Sequence, residues 1–232
     1  MIIERRQNLT KDNRTPEMVR GSIKTLGSSA HTQEDRETND YYATNPDDVI
    51  IFLDQIAADG VVLSDSIWEP ACGEGHVSNV LLERGYDVLS SDIIDRGFDS
   101  AYQFDFIAPL FRHHLSSAWE DNIFDGDILT NPPFKHASTF IKQGLKRLKQ
   151  GGKILLLLPL RYLETKERYY LFHKHPPKFI YVYSYRIKIG KSGNFSGSNA
   201  VAYAWYIWEK GNEADTIIKM IPHPKWRDAD AE

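Results

Sequence analysis

The pattern of this chain predicts an α/β fold: a largely parallel sheet with helices on both faces. Three observations lead there. Short apolar runs alternate with stretches of helical period between residues 46 and 158, which marks strand–helix–strand units. Lys153–Leu158 is apolar without alternation, as a strand covered on both faces must be. Asp127–Thr130 stops abruptly at Asn131-Pro132-Pro133-Phe134, where neither proline can donate a ladder hydrogen bond.

The bulk numbers narrow the class. At 232 residues there is room for one domain and a small appendage. The single cysteine, Cys72, excludes an internal disulfide and a cysteine-built zinc site, and it points to a reducing cytoplasm. His113 and His114 have no ligand spacing to a third group, so no metal is expected. No apolar run is long enough to span a bilayer, and no signal core follows the first charges, so neither a membrane partner nor secretion is expected. The net charge of −4 hides a segregation. Asp40–Asp127 carries 18 acidic residues against 3 basic, whereas Lys142–Lys191 carries 13 basic against 2 acidic. The acidic half suits a cationic or hydroxyl-bearing ligand and the basic half suits phosphate.

Residues 1–39 are polar and lack any period, so they read as a flexible segment. Order begins at Asp40-Tyr41-Tyr42-Ala43-Thr44-Asn45-Pro46 and continues as one domain to residue 210, with a polar tail over 211–232. Asn45 is a good helix cap and Pro46 suits the first helical position. Val49, Ile50, Phe52, Leu53, Ile56 and Ala57 then form one apolar face, and this helix ends near Gly60. A strand at Ser66–Trp68 leads into Glu69-Pro70-Ala71-Cys72-Gly73-Glu74-Gly75-His76. A helix follows to Gly85, and the next strand, Asp87–Ser91, runs into Asp92.

That succession suits a nucleoside. Gly73 and Gly75 let the backbone approach a ligand, and a carboxylate at the tip of the second strand, Asp92, can accept from both ribose hydroxyls. Ser78 stands where a dinucleotide fingerprint has its third glycine. An adenosyl group without a pyrophosphate therefore fits better than NAD, and a dinucleotide-dependent oxidoreductase is the most distant reading. Gln103–Phe106 closes a third strand, with Asp105 and Phe106 placed for an adenine amino group and ring.

After Phe134 come a helix over Lys135–Gln150, the strand at Lys153, a basic tyrosine-rich helix over Arg161–His173, and strands at Phe179–Tyr185 and Ala200–Trp208. A polar, glycine-rich loop, Lys188–Asn199, joins the last two. At the centre, the Asn131 side-chain oxygen and the Pro132 carbonyl offer two acceptors beside an aromatic ring. Such a set suits a planar substrate that carries an amino group.

These landmarks, in this order, resemble the class I S-adenosylmethionine-dependent methyltransferases of the adenine-amino type. The motifs are Tyr42-Ala43-Thr44-Asn45-Pro46, Glu69–Gly75, Asp92, Asp105-Phe106 and Asn131–Phe134, and the likeness covers roughly Asp40–Lys210. The resemblance implies a Rossmann-like seven-stranded sheet whose last strand is antiparallel, as the Ala-Trp-Tyr-Ile-Trp run ending at Trp208 suggests. It implies S-adenosyl-L-methionine as cofactor, held by Tyr42, Thr44, Glu69, Ala71, Gly73, Gly75, Asp92, Asp105 and Phe106. Asn131, Pro132, Pro133 and Phe134 take the catalytic role, with adenine in DNA as acceptor in a bacterial or bacteriophage-infected cytoplasm. Phe195 is the candidate for the second face of the base, and Lys188, Lys191, Arg161, Lys166 and Arg168 for phosphate. The family's tetrapeptide most often ends in Tyr, where this chain has Phe134, and no separate target-recognition domain is visible. RNA bases and protein glutamine amides are alternative acceptors for the same tetrapeptide, and a non-catalytic nucleic-acid-binding subunit is the reading from another class.

Overall fold

Asn45 begins the first helix in the way its residue type predicts: its side chain accepts from the Asp47 amide at 3.1 Å, and Pro46 fills the first turn. The computed structural model describes residues 41–108, 123–190, 195 and 200–226. The readings made for residues 1–39, Asp40, His113, His114 and Lys191 lie outside the described residues.

In chain order the elements are β1 (Ala43–Thr44), α1 (Pro46–Ala58), β2 (Ser66–Glu69), α2 (His76–Glu83), β3 (Asp87–Asp92) and β4 (Ala101–Gln103). Then follow β5 (Asp127–Thr130), α3 (Ala137–Arg147), β6 (Lys153–Pro159), α4 (Lys166–Lys174), β7 (Phe179–Tyr183), β8 (Ile189–Gly190), β9 (Tyr203–Glu209) and β10 (Ile217–Ile221). Eight of the strands form one sheet in the order β10-β7-β9-β6-β5-β2-β3-β4. All neighbours run parallel except that β9 is antiparallel to both β6 and β7. The α/β expectation and its antiparallel strand hold.

Alternation along β6 sorts the core onto the two faces. Leu155 and Leu157 pack with Val49, Phe52 and Ile56 of α1 and Val80 and Leu81 of α2. Ile154, Leu156 and Leu158 pack with Phe140 and Ile141 of α3 and Leu171 of α4. Both faces are thus closed by helices, which explains the unbroken apolar run.

Three expectations need correction. The polar tail read over 211–232 contains β10, which pairs in parallel with β7 from Ile217↔Phe179 to Ile221↔Tyr183 and makes an eighth strand. The helix read over Arg161–His173 is two pieces. A 3-10 turn at Leu160–Leu163 is separated from α4 by Thr165, whose φ of 94° cannot belong to a helix. The third strand ends at Gln103, so Phe104–Phe106 follow it rather than complete it. No helix among the described residues is long and apolar enough to cross a membrane.

Candidate active site

The sheet order reverses between β2 and β5: the chain builds outward through β3 and β4 on one side and through β6 on the other. In open α/β sheets ligands bind outside the carboxyl ends of the strands at such a point. A cleft of ≈160 Å³ lies there. Its walls come from Tyr42 and Thr44 at β1, from Glu69, Ala71 and Cys72 after β2, and from Asp92 and Arg96 after β3. Asp105 and Phe106 beyond β4 and Asn131, Pro132, Pro133 and Phe134 beyond β5 complete them. A nucleoside needs more room than this, so it would extend beyond the cleft's present walls.

The central residue is Asn131. Its amide nitrogen donates to the Tyr42 carbonyl at 2.8 Å and to the Thr44 hydroxyl at 3.0 Å. A carbonyl can only accept, so these contacts fix which end of the amide is nitrogen. The opposite end, Oδ1, is buried and has no hydrogen-bond partner among the described residues. The Pro132 carbonyl beside it also accepts nothing among them, whereas that of Pro133 accepts the His136 amide at 2.8 Å. Phe134 lies parallel to Tyr42, with centroids 6.1 Å apart and planes 7° apart, and leans on Tyr203 at 5.9 Å.

On the other side of the cleft the polar groups are more fully engaged. Asp92 accepts the Gly73 amide at 2.9 Å on one oxygen and the Ile94 amide at 3.0 Å on the other. Each oxygen keeps a lone pair for a further donor. Glu69 is 1% exposed and accepts from the Ser78 hydroxyl, which contacts Ser90 Oγ at 2.6 Å. Burial, with the Asp92 charge adding to it, raises the Glu69 carboxyl well above the ordinary range. Burial also pushes the Cys72 thiol up, so Cys72 offers no thiolate near neutral pH. Asp105 accepts the Ile107 amide at 3.0 Å, and Phe106 packs edge-on to Trp68 at 5.0 Å.

Several expected residues lie elsewhere. Gly73 and Gly75 are not among the residues that line the cleft. Their φ values of +56° and +81° need glycine, and what a side chain there would strike is Tyr41 and Phe98 respectively. Phe195 does not face Phe134; it sits edge-on to His76 at 5.6 Å, and Tyr42 is the ring parallel to Phe134. Lys188 and Arg161 are exposed and do not line the cleft, and Arg168 lies 4.1 Å over the Tyr162 ring. Sequence reasoning missed Arg96, which lines the cleft with its guanidinium 4.1 Å over the Tyr41 ring. The available signal was a lone arginine four residues past Asp92 in an acidic stretch. No group of three or more metal-ligating side chains occurs among the described residues.

No protein-family model matches the chain, and no curated protein matches it in sequence. Solved structures do resemble it. A candidate class I S-adenosylmethionine-dependent methyltransferase from Listeria monocytogenes gives a TM-score of 0.52 at 16% identity, over 80% of this chain and 67% of that one. A type I restriction-modification system methyltransferase subunit from Streptococcus thermophilus gives 0.52 at 12%, over 75% of this chain and 46% of that one. A candidate RNA methyltransferase from Pyrococcus horikoshii gives 0.51 at 14%, over 73% and 87%. The chain thus spans about half the length of the restriction-modification subunit. At these identities the fold is what is shared: it is the Rossmann-like fold of class I methyltransferases.

Proposed function

We propose that the chain transfers a methyl group from S-adenosyl-L-methionine to the 6-amino group of adenine in DNA. The observation that carries this reading is the buried, unpartnered Oδ1 of Asn131 at the switch point of a methyltransferase fold. A buried acceptor without a donor costs ~1–3 kcal/mol, a cost relieved when a substrate N–H arrives.

The donor set of the cleft fits the cofactor. Asp92 has lone pairs left for ribose hydroxyls, and Asp105 and Phe106 form the wall suited to an adenine. Tyr42, Thr44, Glu69 and Ala71 belong to the same walls, and Gly73 and Gly75 shape the loop that Asp92 holds. The sulfonium of S-adenosyl-L-methionine supplies an activated methyl. The protein's share of the work is then to present and polarise a weak nucleophile. An exocyclic amino group has its lone pair delocalised into the ring. Asn131 Oδ1 and the Pro132 carbonyl accept its two hydrogens, and those bonds strengthen as the nitrogen gains positive charge. Phe134, braced by Tyr42 and Tyr203, offers a face to a base taken out of its stack.

The test offers the purified chain labelled cofactor with duplex DNA, single-stranded DNA, RNA and protein in parallel. Label on adenine N6 of DNA is the expected result. Label on RNA alone, or on a glutamine side chain alone, replaces the acceptor.

A further inference from the structure

A second depression lies on the flank of the sheet, between α3 and α4, with a volume of ≈740 Å³. Ser138, Lys142, Leu145 and Lys146 of α3 form one wall, at the i, i+4 spacing that puts them on one face. Tyr170 and Lys174 of α4, with His175, form the other, and Trp208 of β9 also lines it. Ser138 is one helical turn past Phe134, so the groove starts beside the candidate active site and runs away from it.

Its positive charge is only partly compensated. Lys149, Lys153, Lys178 and Lys219 each have a carboxylate within 4 Å, but Lys142, Lys146 and Lys174 have none among the described residues. The acids on the wall are Glu167 and Glu209, and Glu209 is held by Lys178 at 2.9 Å. His175 is lowered from its ordinary range by burial and then by Lys174 and Lys142, which places both cations around it. Tyr170 is exposed. Three exposed lysines with no carboxylate paired to them attract an anion, and a tyrosine among them suits a base or sugar. The α3 wall from Ser138 to Lys146 is about 12 Å long at the rise of a helix. That covers about three phosphates of a duplex strand at its axial spacing.

We propose that this groove holds the phosphate backbone of the nucleic acid whose base enters the cleft. The proposal rests on the acceptor being a nucleic acid, as argued above.

The test measures binding of an end-labelled duplex by fluorescence anisotropy across a salt series, on the full chain and on Lys142→Gln/Lys146→Gln/Lys174→Gln. The slope of log affinity against log salt is expected to become shallower by about 2 to 3, close to 0.9 per phosphate contact. The triple arginine variant should restore it, and Lys149→Gln, outside the groove, should leave it unchanged. An unchanged slope in the triple glutamine variant overturns the proposal. So does a wild-type chain that binds poly-glutamate as tightly as the duplex, which would assign the groove to an acidic polypeptide. The readout needs no methyl transfer. Salt-dependent binding lost in the variant, from a chain that never methylates, sinks the proposed reaction and keeps the groove; methylation with an unaltered slope does the reverse.

Discussion

Two polar side chains stand at the ends of neighbouring strands, and they are built in opposite ways. Glu69 closes β2 inside a satisfied network: its carboxyl takes the Ser78 hydroxyl, and Ser78 meets Ser90. Asn131, just past β5, uses both amide hydrogens on Tyr42 and Thr44 and leaves Oδ1 open. A satisfied buried network stiffens the loop it belongs to, whereas an open buried acceptor is a cost to the protein standing alone. The difference separates a satisfied carboxyl from an open amide oxygen at a site where Glu69 is buried and Asn131 is half-buried, both lining one cleft.

Four substitutions sharpen or break that contrast. Asn131→Ala should have the largest effect: a loss of roughly a hundredfold in the single-turnover transfer rate, about 3 kcal/mol, the usual cost of one preorganised polar group. Ser78→Ala should instead lower stability by about 2 kcal/mol in denaturant unfolding, because the Glu69 carboxyl loses its hydroxyl partner. A rate loss from Ser78→Ala as large as that from Asn131→Ala would erase the distinction.

Glu69→Gln probes the same network through pH. Burial raises the folded-state carboxyl well above 4.5, so the folded protein holds its proton more tightly than the unfolded chain. Wild-type stability therefore falls as pH climbs from about 4.5 to the folded pKa, by at most about 1.4 kcal/mol per unit. The glutamine variant lacks that contribution. Thermal melts from pH 4.5 to 7 should show its stability gaining on the wild type, and parallel curves would mean that Glu69 is ionised in the fold.

Thr44→Val is the smallest change and the control for the first. It removes one acceptor of the Asn131 amide and leaves Oδ1 in place, so a rate loss of only several-fold is expected, about 1 kcal/mol. If it matches Asn131→Ala, the amide serves as a tether and the open oxygen carries no chemistry.

What the sequence disclosed follows the range of the interactions. Pro132 and Pro133 end β5 by local backbone logic, so the position of Asn131 at a strand end was legible from four letters. Its brace was not, because Tyr42 and Thr44 are 89 and 87 residues away. Asp127 was equally silent: it accepts the Ser64 amide at 2.8 Å and the Lys153 amide at 2.7 Å, joining three segments that no period relates. The strand Ile217–Ile221 escaped because it is held by backbone pairing at a sheet edge, with Ile217, Ile218 and Met220 left exposed, so burial wrote no alternation into it. Arg161–His173 misled because its composition is helical throughout, while the break at Thr165 is a matter of dihedral angle. Phe195 was assigned to the base by loop membership alone, and its ring meets His76.

The two-stranded ribbon of β1 and β8 pairs Ala43 with Gly190 and Thr44 with Ile189. Thr44 is therefore shared: its main chain belongs to the ribbon and its hydroxyl steadies Asn131. Any shift of the segment around Ile189 is passed through one ladder rung to the orientation of that amide. The ribbon's register and the aim of Asn131 Oδ1 thus share one residue as their pivot.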